Sequence, residues 1–186
     1  MRHTFQVEQW LPYPVEFVFS FFANPENLPR LMPRWQRARI EEAAFTSPPP
    51  MPPAPPGVQR LPAVAAGPGT RMTLSLRPFP FAPIRLPWEA EIPEFVWDDH
   101  FCDIQLRGPF AYWRHCHFVA AARHPESGAA GCTVRDHIEY ELPLGLLGDL
   151  AHRLFVRAQL RSTFAYRHAR TQEMLARAAA SMQRSA

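Results

Sequence analysis

Alternation of apolar and polar positions dominates the second half of the chain. Three runs, Phe101–Arg107, Phe110–Ala122 and Cys132–Leu142, read as strands, separated by Gly108-Pro109 and by the turn-rich stretch 125–131. Successive side chains of a strand point to opposite faces. Trp113, His115, His117 and Val119 therefore share one face of the second run, and Arg114, Cys116 and Phe118 the other. In the third run Val134, Asp136, Ile138, Tyr140 and Leu142 oppose Thr133, Arg135, His137, Glu139 and Glu141. The second of these sets is a solvent face, which sends Asp136 to the buried side. A carboxylate among Val, Ile, Tyr and Leu is costly unless it is paired.

The same periodicities organise the rest. His3–Leu11 alternates as a first strand. Pro14 then opens a Phe-rich helical stretch, Val15–Ala23, and Asn24-Pro25 caps a second short helix that Pro33 ends. Trp35–Ala43, Thr70–Arg77 and Pro87–Trp97 supply further strands. Residues 45–69, mostly proline over 48–56, favour polyproline II or irregular loop and build no core. That segment is an insertion between two strands, either a passive excursion or a lid or docking segment for a proline-recognising protein module. From about Asp149 to Met182 runs a helical pattern roughly 50 Å long. Leu147, Leu150, Leu154, Ala158, Phe164, Ala165, His168 and Leu175 fall on one side of it. An antiparallel sheet of six or seven strands must curl and bury one face, and only this helix can cover it. The expected architecture is a single α+β domain over residues 1–186, with space between sheet and helix as the default binding site.

Composition narrows the function. A chain of 186 residues that is 47% hydrophobic supports one sizeable core. The net charge of +3 is spread along the chain, without the basic stripe of a nucleic-acid binder. All 20 basic residues are arginine, which excludes Schiff-base chemistry, a pyridoxal-phosphate lysine and a Walker-type phosphate loop. The three cysteines, Cys102, Cys116 and Cys132, form no CxxC pair. Cys102 and Cys116 can meet across a hairpin, but the odd count reads as free thiols in a reducing compartment. No segment approaches the ~20 apolar residues of a membrane span. The N-terminal residues read as a strand, not as an apolar leader, so the expected location is cytoplasmic.

Several blocks carry a family likeness. Leu11-Pro-Tyr-Pro-Val-Glu-Phe-Val-Phe-Ser-Phe-Phe with Asn24-Pro-Glu-Asn-Leu, the block Phe101–Phe118, and Val134–Gly148 leading into Leu154-Phe-Val-Arg resemble the START-like, Bet v 1-like superfamily that includes polyketide cyclases. The resemblance covers the chain apart from residues 44–69. It implies a helix-grip fold: a curved antiparallel sheet around a long C-terminal helix, with a ligand cavity between them. It brings no universal catalytic residues, since the superfamily spans lipid carriers, receptors and cyclases.

Turn lengths suggest the strand register. A symmetric 123–131 loop puts His117 opposite Asp136 and Trp113 opposite Tyr140; equal parity at Gly108-Pro109 puts Asp103 near His115 and Gln105 near Trp113. A bulge would reverse the faces. On this register His115, His117, Asp136, Asp103, Gln105 and Tyr140 form a polar patch among aromatics. Three roles fit it: a satisfied structural network, polar anchors for a mostly apolar ligand, or proton transfer with His117 as general base held by Asp136, as a cofactor-free cyclase or dehydratase would need. Phe17, Phe21, Trp88, Phe101, Trp113, Tyr140 and Phe164 are the expected cavity walls. His115 and His117, at i and i+2, can bind a metal only if a third ligand comes from elsewhere, so no metal and no other cofactor is expected. The expected partner is a small hydrophobic molecule; oligomeric state is not legible.

Overall fold

The computed structural model describes residues 1–62 and 64–185. Seven strands form one antiparallel sheet: β1 Arg2–Leu11, β2 Arg39–Ala44, β3 Arg71–Leu76, β4 Leu86–Val96, β5 His100–Arg107, β6 Tyr112–Arg123 and β7 Ala130–Glu141, in the spatial order β1-β7-β6-β5-β4-β3-β2. Two helices follow β1. In α1, Val15–Ala23, Phe17, Val18, Phe19 and Phe21 turn to the core. After a single 3-10 turn at Pro25–Asn27, whose Asn24 cap accepts from the Glu26 N–H at 3.1 Å, comes α2, Leu28–Leu31. The C-terminal helical run comprises α3, Leu146–Ala151, a π turn at His152–Val156, and α4, Arg157–Ser185. No helix of the described residues is long and apolar enough to cross a membrane.

The expected register holds where it was specified by alternation. His117 pairs with Asp136, Trp113 with Tyr140 and Asp103 with His115. Four of the sequence expectations are corrected. Residues 34–36 form a 3-10 turn rather than strand, because Pro33 starts a turn that Arg37 closes in a left-handed conformation (φ 45°), and β2 begins only at Arg39. The C-terminal run is not one uninterrupted helix. The π turn shifts the phase of the helical repeat, so Leu147, Leu150 and Leu154 are exposed, Ala158 and Ala165 face outward, and the buried stripe of α4 is Leu160, Phe164, Arg167, Thr171 and Leu175.

The proline-rich segment, expected to build no core, joins it. Ala66 is buried, its N–H donates to the Ala23 carbonyl, and Leu61 packs on the same cluster while its N–H donates to Ser20 Oγ. Arg60 forms a two-pronged ion pair with Asp98, and Trp97 Nε1–H donates to the Pro49 carbonyl. Prolines leave carbonyls free, and the neighbouring loop uses them.

The cysteines are the fourth correction. Cys102 and Cys116 lie directly opposite on β5 and β6 and form a disulfide. The reducing-compartment expectation, which rested on free thiols, loses that support. Cys132 is a free, fully buried thiol, and burial, aided by the charge of Glu16, pushes it up to about 12. A thiolate is the reactive species. Native protein is therefore expected to show no thiol reactive toward Ellman's reagent, one after unfolding, and three after unfolding with reduction. Three reactive thiols without reductant would remove the bridge.

Candidate functional site

β5, β6 and β7 each deliver one or two polar groups to the concave face. Asp136, 3% exposed, sits between the two β6 histidines. Its Oδ1 accepts a hydrogen bond from His115 Nε2 at 2.9 Å. His117 Nδ1 lies 2.7 Å from the same oxygen, out of line for a hydrogen bond. At that distance Nδ1 still has to carry the ring proton, since two lone pairs would repel. The other edge of each ring turns toward Asp103 on β5: His115 Nδ1 is 3.5 Å and His117 Nε2 3.9 Å from Asp103 Oδ1. Trp113 Nε1–H donates to Asp103 Oδ2 at 3.3 Å. From the helix side, His168 Nε2 approaches Asp136 Oδ2 to 4.0 Å.

Burial sets the protonation of the buried pair. It disfavours imidazolium, and with His115 and Arg167 nearby it lowers His117 to about 4. Burial alone would raise the Asp136 carboxyl, but the adjacent charge and N–H groups of His117 and His115 outweigh it and hold Asp136 well below its ordinary value. At neutral pH the centre is thus a carboxylate against a neutral His117.

A cavity of about 60 Å³ opens beside this centre, under α1 and α2. Phe22, Leu31, Ile92 and Phe101 give it apolar walls, and Asp103, His117 and Arg167 are its charged and titratable ones. Arg167 is 7% exposed, and among the described residues no hydrogen bond or ion pair reaches its guanidinium. Its Cζ lies over the Phe164 ring, 4.8 Å from the centroid. Sequence reasoning missed it because an arginine on a long helix reads as solvent-facing. The available signal was spacing: Arg167 is i+7 from Leu160, i+3 from Phe164 and i−4 from Thr171.

The expected site residues divide. Phe101, Asp103 and His117 line the cavity, with His115 and Asp136 immediately behind His117. Phe17 and Phe21 do not line it; they are packed into the apolar cluster beneath α1. Nor do Trp88, Trp113, Tyr140 and Phe164, which form a second cluster with Phe5 and Leu160 on the far side of the histidines. Edge-to-face aromatic contacts fill that region: Trp88 meets Trp113 at 5.0 Å and 90°. Gln105 also leaves the patch. Its side-chain amide donates to the Phe110 carbonyl at 2.7 Å and accepts from the Phe110 N–H, closing the β5–β6 turn. Tyr140 OH pairs with His152 Nδ1 at 2.8 Å and so turns toward the π turn, away from Asp136.

Comparison with known proteins agrees with this architecture. The family described as polyketide cyclase / dehydrase and lipid transport matches residues 11–165. No curated protein matches the sequence. Among solved structures, TTHA0849 from Thermus thermophilus superposes with a TM-score of 0.63 at 16% identity, covering 95% of this chain and 99% of that one. A norcoclaurine synthase point mutant of Thalictrum flavum, solved with a transition-state analogue, gives 0.58 at 12% identity over 95% and 96% of the two chains. Ara h 8.0201 gives 0.55 at 14% identity over 94% and 98%. At these identities the structural likeness speaks to the fold alone.

Proposed function

Since the chain belongs to the polyketide cyclase, dehydrase and lipid transport family, a family of hydrophobic-ligand and cyclase-type roles, we propose that it binds one small, largely hydrophobic molecule carrying an acidic group, in the cavity between the sheet and α4. The observation that carries this is Arg167, 7% exposed, which lines a mostly apolar cavity beside Asp103 and His117 with no hydrogen bond or ion pair to its guanidinium among the described residues. A buried ion stays costly until something pairs with it, and a planar guanidinium fits a carboxylate with two parallel hydrogen bonds.

About 60 Å³ is far below the roughly 300 Å³ at which small-molecule pockets begin. Ligand entry therefore requires the cavity to open. Its cheapest walls to move are α2, four residues long, and the segment around Ala66, both of which line it. A second role, proton transfer, is favoured by His117, which is neutral at neutral pH, lines the cavity and has Nδ1 2.7 Å from Asp136 Oδ1. His117 and Asp136 would then be base and positioning residue.

Native mass spectrometry of protein from its own host, combined with titration by 8-anilinonaphthalene-1-sulfonate, tests the binding role. The expected result is a one-to-one small-molecule adduct and saturable dye fluorescence that the extracted molecule displaces. Finding neither an adduct nor saturable dye binding would overturn it.

A further inference from the structure

We propose that Asp103, His115 and His117 form a binding site for a divalent transition-metal ion of the zinc, cobalt or iron class, with its open coordination positions facing the cavity. The sequence left the histidine pair one ligand short, and the fold supplies that ligand from the neighbouring strand. Asp103 Oδ1 stands 3.5 Å from His115 Nδ1 and 3.9 Å from His117 Nε2, and the three donor atoms lie within 4.8 Å of one another. Metal–ligand bonds of about 2.0–2.2 Å place donors roughly 3–3.5 Å apart. Small side-chain rotations close the difference.

Proton counting points the same way. An ionised Asp136 can only accept, so His115 must donate from Nε2, and the 2.7 Å contact fixes the proton of His117 on Nδ1. In neutral rings this leaves lone pairs on His115 Nδ1 and His117 Nε2, both aimed at a carboxylate oxygen. Three lone pairs converging on one point repel unless a cation sits among them. Two imidazoles and a carboxylate are the donor set of zinc, iron and cobalt sites, not of calcium or magnesium.

Each donor is also held from behind. Asp136 fixes both histidines, and the Trp113 N–H fixes the second oxygen of Asp103. Such outer partners are what orient metal ligands and set their tautomers. The charge balance fits as well. A divalent ion adds positive charge to the cavity wall that Arg167 shares with Asp103 and His117, which suits the acidic ligand proposed above. The metal site does not depend on that ligand.

Chelator-stripped protein titrated with Zn2+ by calorimetry, and with Co2+ by visible absorbance, tests the proposal. One ion per chain and the d–d bands of a nitrogen–oxygen site are expected. Asp103→Asn and His117→Ala should each weaken binding more than about 100-fold, and Asp136→Asn by about 10- to 100-fold with the ligands intact. Circular dichroism confirms folding; if His117→Ala does not fold, the half-buried Asp103→Asn alone decides. No saturable binding overturns the site. Undiminished binding in the folded variants places the ion elsewhere on the chain, and overturns it equally.

Discussion

Asp136→Ala is expected to destabilise the metal-free fold by about 3–5 kcal/mol, the loss that follows removal of one partner from a buried charged network. The carboxylate is the common acceptor for His115 and the close neighbour of His117, and neither ring has another acceptor as near. Asp136→Asn keeps the shape and one acceptor oxygen, so about 1–3 kcal/mol is expected for it. Acid distinguishes the contributions. His117 is held down to about 4 in the fold while an unfolded histidine titrates near ~6.5. The unfolded chain thus binds the extra proton first, and stability falls as pH drops from about 6.5 toward 4. Asp136, held below its ordinary range, contributes stability that is present above about pH 4 and is lost as pH falls further. Urea unfolding across this range, with chelator present, should show both phases in the wild type and only a weakened decline in Asp136→Ala. An alanine variant as stable as the wild type at pH 7 would show that the carboxylate is dispensable.

Arg167→Met should act with opposite signs on stability and binding. Methionine matches the length of the buried stem and removes a charge that no hydrogen bond or ion pair offsets among the described residues, so stability stays level or rises by about 1–4 kcal/mol. Affinity for the anionic dye, or for a co-purified acidic ligand, should fall by about 10- to 100-fold, the value of a charge-assisted hydrogen-bonded contact of roughly 1.5–3 kcal/mol. Dye titration and thermal unfolding of the same preparation read both quantities. Lost stability with unchanged dye affinity would make Arg167 a structural residue and remove the acidic group from the proposed ligand.

How far the sequence could be read follows from which residues obey periodicity. β6 and β7 alternate without interruption, so the inward turn of Asp136 and its pairing with His117 were legible. Asp103 followed from parity through a short turn, although the same parity misassigned Gln105, whose amide is diverted to the turn backbone. The C-terminal run failed at its phase. A π turn has no composition of its own, and it breaks the single helical wheel that put Leu147, Leu150 and Leu154 on the side of Phe164 and Leu175, while Arg167 was hidden by its charge. The aromatic walls failed for a different reason. Trp88, Trp113 and Tyr140 do face inward, but alternation says nothing of where packing leaves room. Ala66 was missed because a proline-rich composition describes the chain's stiffness and not where it rests.

The bridge between Cys102 and Cys116 has a consequence for the opposite face of the sheet. Strand pairing can slip, and a slip of one position between β5 and β6 would carry Asp103 out to solvent while leaving both histidines in place. A covalent rung on the outer face, one residue from Asp103 and flanked by His115 and His117, forbids that slip. The alignment of these three side chains is thereby locked by chemistry that none of them takes part in.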